Sequence, residues 1–264
     1  MKRPRLVATD LDGTVIRRDG TISERSRAAL SMVEDAGSVL VFVTGRPPRW
    51  MHQIAEQTAH RGLAVCANGA LLYDLHNESV LVSHFISTES LREVCDAIRR
   101  AIPDVDFSVD RHVEFVHEPQ YVTPWNNGMP WVRAAPLEEL CAEPAAKLLV
   151  RHPSMSADDL LALVRGAAGG MAEFTHSSRS GIVEVSALGV SKASGLAHVC
   201  EQRGIPAADV AAFGDMPNDL PMLAWAGTAF AVANAHPEVL TAVENIAPSV
   251  EDDGVAQVLE TLFA

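Results

Sequence analysis

At 264 residues and 48% hydrophobic content, the chain can bury one large core or two modest ones. Its 21 Lys and Arg against 34 Asp and Glu give a net charge of −13, which argues against broad attraction to nucleic acid or anionic lipid, although a local site can still be positive. No long uncharged apolar run is present to span a bilayer, and Met1-Lys2-Arg3-Pro4-Arg5 leads into a strand rather than a signal-peptide apolar region, so a soluble, cytoplasmic protein is expected.

The first third alternates strand and helix signals, the pattern of an α/β fold with a parallel sheet. Leu6-Val7-Ala8-Thr9 is an apolar strand that ends in Asp10-Leu11-Asp12-Gly13-Thr14. Ile22, Ala29, Leu30 and Val33 fall at helical spacing, with Ser23 as N-cap and Gly37 as the stop. A second buried strand over 38–43 ends at Thr44-Gly45-Arg46, and Pro47 and Pro48 open the next helix. A third strand over 63–67 ends at Asn68-Gly69. Three successive strands thus end in small polar or charged residues, and in open α/β sheets ligands bind outside those carboxyl ends.

From about Phe85 to Val185 the pattern changes. A helix over 87–101 precedes alternating runs at 107–109 and 113–117, a loop Pro124-Trp125-Asn126-Asn127-Gly128-Met129-Pro130-Trp131, a strand over 147–151, a helix over 156–168 and a strand over 182–185. This predicts an inserted α+β domain, an open-faced sheet with helices on one side. Strand and helix alternation resumes after Ser186, with a helix over 192–203, a strand over 210–213 ending at Gly214-Asp215, a strand over 229–233 ending at Asn234-Ala235, and a closing helix over 252–263. Cys66, Cys95, Cys141 and Cys200 are scattered in apolar or helical stretches without a CxxC pair and read as reduced packing residues.

The chemistry gathers at the strand ends. Asp10 and Asp12 are spaced i, i+2, and two like charges that close push one pKa upward unless a cation or a shared proton intervenes. One carboxylate can then act as nucleophile while the other handles protons. Asp215 and Asp219, spaced i, i+4 in Gly214-Asp215-Met216-Pro217-Asn218-Asp219, can face one cation. Carboxylates with backbone carbonyls and water are the ligand set of a hard cation such as Mg²⁺. Thr44 and Lys192 can supply the hydrogen bonds and positive charge that a transferring phosphoryl group needs.

In their order along the chain, Asp10-Leu11-Asp12-Gly13-Thr14, Thr44-Gly45-Arg46, Lys192 and Gly214-Asp215-x-x-Asn218-Asp219 resemble the four motifs of the haloacid dehalogenase superfamily of phosphohydrolases. By subtraction, 148 residues separate Thr44 from Lys192 and 23 separate Lys192 from Asp215, so the large insertion lies between the second and third motifs. That placement is similar to the Cof-like class IIB branch, as are Asn68-Gly69-Ala70, Asn234-Ala235 and Asp253-Gly254-Val255-Ala256. The resemblance implies a doubly wound, Rossmann-like parallel sheet core formed by residues 1–84 and 186–264, with an α+β cap over 85–185 that selects substrate.

It also implies roles. Asp10 would attack phosphorus and become an aspartyl-phosphate, while Asp12 would protonate the leaving alcohol and later activate water. Thr44 and Lys192 would hold the phosphoryl oxygens, within a substrate-contacting set of Thr44, Gly45, Arg46, Asn68, Lys192 and Asn218. Mg²⁺ would be bound by Asp10, the backbone carbonyl of Asp12 and Asp215, with Asp219 and Asn218 in support. Arg46 is expected to reach substrate or to pair with a carboxylate, with the pairing favoured. In the cap, His112, Glu114, Arg133, Lys147 and Arg179 are candidate specificity groups, although His112, like His117, His152 and His176, lacks zinc-like spacing and reads as a surface or satisfied histidine. Trp125 and Trp131 either stack on substrate or anchor their loop. The expected function is a Mg²⁺-dependent phosphatase of small phosphorylated metabolites such as sugar phosphates or phosphorylated cofactors, a monomer or weak homo-oligomer. The alternatives are a phosphosugar mutase and a noncatalytic phosphometabolite-binding regulator.

Overall fold

Two compact units make up the chain in its computed structural model, one formed by Met1–Val82 with Ser191–Ala264 and the other by Ser83–Val190. Residues 2–122, 128–178 and 180–264 are described; Trp125, with its neighbours Pro124, Asn126 and Asn127, and Arg179 lie outside them.

In the first unit, β1 (Leu6–Thr9), β2 (Val39–Val43) and β3 (Leu63–Cys66) pair in parallel. They are joined by α1 (Glu24–Asp35) and by a 3-10 turn at Pro48–Trp50 that runs into α2 (Met51–Thr58). The Ser23 side chain accepts the Ser26 N–H at the start of α1, satisfying one of the donors that a helix start leaves unpaired. All four β1 residues are buried, as expected for a strand covered on both faces. β4 (Leu71–Asp74) then turns back antiparallel to β3, and β5 (Ser79–Ser83) lies at the sheet edge beside β4. The sheet is therefore mixed rather than wholly parallel, because the short link from Ala67 to Ala70 leaves no room for a crossover helix.

The second unit follows with α3 (Thr88–Ala101), β6 (Asp106–Asp110), β7 (Phe115–His117), β8 (Val132–Ala134), α4 (Leu137–Leu140), β9 (Lys147–Arg151), α5 (Ala157–Ala168), β10 (Glu173–Thr175) and β11 (Ile182–Ser186). Its six strands are ordered β10-β11-β9-β6-β7-β8. Strand period two puts Phe107, Val109, Leu148, Val150, Val183 and Val185 on one face, where they pack with Leu91, Val94 and Ile98 of α3 and Leu160 and Val164 of α5. The alternate positions place Ser108, Asp110, Lys147 and Glu184 on the other face, beside a small apolar cluster of Phe115, Tyr121, Leu149 and Ile182.

The chain re-enters the first unit at α6 (Lys192–Arg203), followed by β12 (Val210–Gly214), α7 (Leu220–Trp225), β13 (Thr228–Val232), α8 (Pro237–Ala242), β14 (Asn245–Ala247) and α9 (Gly254–Phe263). The order of this sheet is β14-β13-β12-β1-β2-β3-β4-β5, with β1 central between β12 and β2. The carboxyl ends of β1, β2 and β12 thereby become neighbours, although Asp10, Thr44 and Asp215 are far apart in sequence. All four cysteines are buried and free. Among the described residues no helix is long and apolar enough to cross a membrane.

Candidate active site

Asp10 follows β1 directly, and its backbone N–H donates to the Phe213 carbonyl of β12 at 2.9 Å. The next residues turn sharply. Val15 and Ile16 donate backbone N–H groups to the Leu11 carbonyl, and Gly13 takes φ +81°. Glycine is required at this point for two reasons. The left-handed backbone disfavours other residues, and a Cβ would collide with Oδ2 of Asp215. Asp215 follows β12, where its Oδ1 accepts the Thr14 hydroxyl at 3.2 Å and its carbonyl accepts the His236 N–H at 2.7 Å. Asn234 holds the same turn from the far side, donating to the Gly13 carbonyl at 2.8 Å and accepting the Val250 N–H at 2.8 Å.

Lys192 is the first residue of α6, whose start is fixed by a reciprocal capping box between Ser191 and Ser194. A lysine at a helix start is ordinarily solvated, but this one is 0% exposed. Its ammonium donates to Asp10 Oδ1 at 2.5 Å and to Asp219 Oδ1 at 2.6 Å. Asp219 is fully used, since its Oδ2 also accepts the N–H groups of Asp215 and Met216 at 3.0 Å each. Burial opposes the charged lysine, yet Asp10 and Asp219 more than offset it and hold its pKa above the ordinary value.

Burial pushes the Asp10 carboxyl up to about 7 against the pull of Lys192, with Asp219 and Asp12 adding to the rise. Burial, then the charges of Asp10 and Asp219, likewise hold Asp215 well above the usual carboxylate range. Burial is compounded by a shortage of positive charge. One ammonium stands among the carboxylates of Asp10, Asp215 and Asp219, whose oxygens lie within 4.8 Å of one another; three negative charges less one positive leave two. That deficit and an all-oxygen donor set fit a hard divalent cation.

Thr44, buried at the end of β2, accepts the Arg46 N–H on its Oγ1 at 3.1 Å. Gly45 is half-buried. Arg46 meets Asp12 two-pronged, Nε to Oδ2 at 2.7 Å and Nη2 to Oδ1 at 2.5 Å. Asn68 and Asn218 are buried together, the Asn218 amide donating to Asn68 Oδ1 at 3.1 Å. Asn218 Oδ1 has no donor among the described residues. The structure thus brings Asp10, Asp215, Asp219 and Lys192 into one cluster, with Asp12 paired to Arg46 beside it. Thr14 is a further contributor, carried within the Asp10–Thr14 segment but not singled out by its sequence.

The second unit explains several of its candidate groups structurally. Glu114 is shared by Arg111 and Arg133, and Arg133 also pairs with Glu139. Trp131 packs against the Phe115, Tyr121, Leu149 and Ile182 cluster. His152 Nδ1 accepts the Ser154 and Met155 N–H groups, and buried His176 bonds Asp158 at 2.8 Å. His117 Nδ1 lies 2.7 Å from the Glu118 carbonyl, and His112 takes φ +73° in the turn between β6 and β7. Lys147 is buried with its Nζ 3.4 Å from Glu184.

A family model for haloacid dehalogenase-like hydrolases matches residues 7–259. The chain is 26% identical over 276 residues to the 5-amino-6-(5-phospho-D-ribitylamino)uracil phosphatase YitU of Bacillus subtilis, covering 99% of this chain and 98% of that one. It is 28% identical over 268 residues to the pyridoxal phosphate phosphatase YbhA of Escherichia coli, covering 96% of each. In fold it is similar to the subclass IIB sugar phosphatase BT4131, with a TM-score of 0.82 at 17% identity over 99% of this chain and 98% of that one. The family match spans both units and every strand end at which the acidic cluster is built, so the chain belongs to the haloacid dehalogenase-like hydrolase family.

Proposed function

We propose that this protein is a Mg²⁺-dependent phosphatase that hydrolyses small phosphorylated metabolites through an aspartyl-phosphate on Asp10. The observation that carries the reading is the buried Lys192 ammonium bridging Asp10 and Asp219, beside an Asp215 whose ionised form is disfavoured by burial and by the charges of Asp10 and Asp219 more than Lys192 favours it. Burying an ion pair costs several kcal/mol per ion before its attraction is counted. Such a cluster at strand ends is therefore better explained by chemistry than by stability.

Asp10, Asp215 and the Asp12 carbonyl, supported by Asp219 and Asn218, would hold the metal, which supplies positive charge to the phosphoryl oxygens and to Asp10 when bound. An oxygen of Asp10 forms a bond to phosphorus as the bond from phosphorus to the ester oxygen breaks. The electron pair stays on that oxygen, which takes a proton from Asp12. A water then attacks phosphorus and gives its proton to Asp12, and the bond from phosphorus to Asp10 breaks with its electron pair returning to the carboxylate. Lys192 and the Thr44 hydroxyl hold phosphoryl oxygens, which is positioning and charge stabilisation rather than covalent work.

The second unit, inserted between Thr44 and Lys192, is assigned the selection of the leaving group. The named relatives act on phosphate esters of a ribitylaminouracil and of pyridoxal, which supports a small, polar, ring-bearing or sugar-like leaving group.

Phosphate release from a panel of sugar phosphates, nucleotides, pyridoxal phosphate and p-nitrophenyl phosphate, with Mg²⁺ and with EDTA, tests the reading. Metal-dependent release by the wild type, abolished in Asp10→Asn, is expected. No release from any ester by folded, metal-loaded protein sinks it.

A further inference from the structure

The pairing of Arg46 with Asp12 has no evident structural purpose. Asp12 is the exposed member of the acidic group, with 56% of its side chain accessible against 8% for Asp10. An exposed ion pair contributes little to stability. An exposed aspartate left alone also exchanges among staggered rotamers, whereas proton transfer needs its carboxyl oxygen within hydrogen-bond reach of the reacting atom.

Arg46 is itself held. Its N–H donates to the Thr44 hydroxyl at 3.1 Å, and its carbonyl accepts the Ala67 N–H at 2.9 Å. The Asn68 N–H donates to the Thr44 carbonyl at 3.1 Å. The turn that provides these two donors is strained, because Ala67, Asn68 and Gly69 take φ of 49°, 56° and 103° in succession. A non-glycine residue is strained there and persists only where its surroundings hold it. Among the contacts that hold this turn is its clasp on Thr44 and Arg46.

We propose that Arg46 is a positioning residue for the proton-transfer carboxylate. Its two-pronged pair fixes both oxygens of Asp12 beside Asp10, and the left-handed turn at Ala67-Asn68-Gly69 fixes Arg46. This inference rests on the phosphatase reading. Its consequence is that Arg46 sets which leaving groups the enzyme can expel. An ester whose alkoxide must be protonated as it departs depends on a placed Asp12, while p-nitrophenolate leaves with little help.

The test compares kcat/KM, which reports steps up to phosphoenzyme formation, for the best alkyl ester of the panel and for p-nitrophenyl phosphate. Wild type, Arg46→Ala, Arg46→Lys and Asp12→Ala are measured, with and without low concentrations of guanidinium chloride. Arg46→Ala is expected to lose about 100-fold on the alkyl ester, the scale of general acid catalysis, and at least about tenfold less on the aryl ester. Added guanidinium should recover part of the alkyl activity, and Arg46→Lys should recover less than arginine because an ammonium cannot make the two-pronged pair. The same shift in selectivity should appear, larger, in Asp12→Ala. Equal losses on both esters, or a loss confined to KM, would make Arg46 a phosphate-binding group and overturn the proposal, as would no loss at all. Should Arg46→Ala fail to fold, the Arg46→Lys ratio of alkyl to aryl activity decides by the same criterion. A wild type that releases phosphate from neither ester fails the phosphatase reading itself and takes this inference with it.

Discussion

Lys192 Nζ lies 2.6 Å from Asp219 Oδ1, and neither side chain is exposed to solvent. The contact spans 27 residues and ties the first turn of α6 to the loop after β12. Because Asp219 also accepts two backbone N–H groups, its carboxylate is fixed and aims the ammonium at Asp10. Replacing Lys192 with Met removes the charge while nearly keeping the volume. The variant is expected to lose about 3–5 kcal/mol of stability at pH 7, the scale for breaking a buried pair, and at least about 100-fold in kcat. Urea denaturation and steady-state rates check both.

The pH dependence of metal-free stability follows from Asp10 and Asp215. Both carboxyls lie above their ordinary value of 3.8, Asp10 at about 7. A carboxyl raised by folding contributes stability that is fully present below about pH 4 and is lost as pH rises through its folded value. In EDTA the urea midpoint should therefore fall between about pH 4.5 and 7.5, with a shallower fall in Asp10→Asn. On the proposed function Mg²⁺ should reverse the trend, because the ionised carboxylates would hold it. Against its burial, hydrogen bonds from Ser23 and Arg17 hold the Asp253 carboxyl below its ordinary value, and the Arg25 hydrogen bond does the same for exposed Glu260; both lose their contribution below the ordinary carboxylate range and do not mask this window. A midpoint in EDTA that stays flat from pH 5 to 7.5 would rule the account out.

Gly13→Ala should uncouple metal affinity from the rest of the site. A Cβ there meets the Asp215 carboxylate in a left-handed turn, so Asp215 must move. The apparent Mg²⁺ affinity, followed by titrating activity and by calorimetry, is expected to weaken about tenfold or more. Unchanged affinity would show that Asp215 tolerates displacement.

Gly69→Ala and Gly20→Ala form a matched pair. Both glycines have positive φ, 103° and 83°, but a Cβ at Gly20 meets nothing within 4 Å, while one at Gly69 strikes the Ser191 carbonyl just ahead of Lys192. Gly20→Ala should cost about 1 kcal/mol from backbone strain alone. Gly69→Ala should cost at least about 1 kcal/mol more and lower activity as Lys192 shifts. Thermal melts and rates on the same preparations compare the two; equal costs would remove the steric term.

Much of the frame is legible locally. The turn at Asp10–Thr14, the Ser23 N-cap of α1, the starts of α3 and α5 near Ser87 and Ser156, and the switch from helical to two-residue periodicity within the second unit all depend on residues within one turn of each other, as do the strand ends after β1, β2 and β12. β8, β10, β14 and α4, at three or four residues each, offer too few positions for a period to register, whereas β7, equally short, is read only because it lies in the longer alternating run 113–117. The hairpin-like return of β4 is also hidden, because Leu71–Asp74 reads simply as another apolar run.

What the sequence determined by itself was the set of reactive groups and their order, since each motif is a short stretch whose residue types carry their chemistry wherever they stand. The tertiary structure decided their company. The strand order sets β1 between β12 and β2, buries Lys192 between Asp10 and Asp219, and brings Arg46 onto Asp12 across 34 residues. It also holds Ala67 in a left-handed conformation that nothing in an alanine announces. Such contacts join groups far apart along the chain. They form only when the packing of the whole sheet offsets the entropy of bringing those groups together.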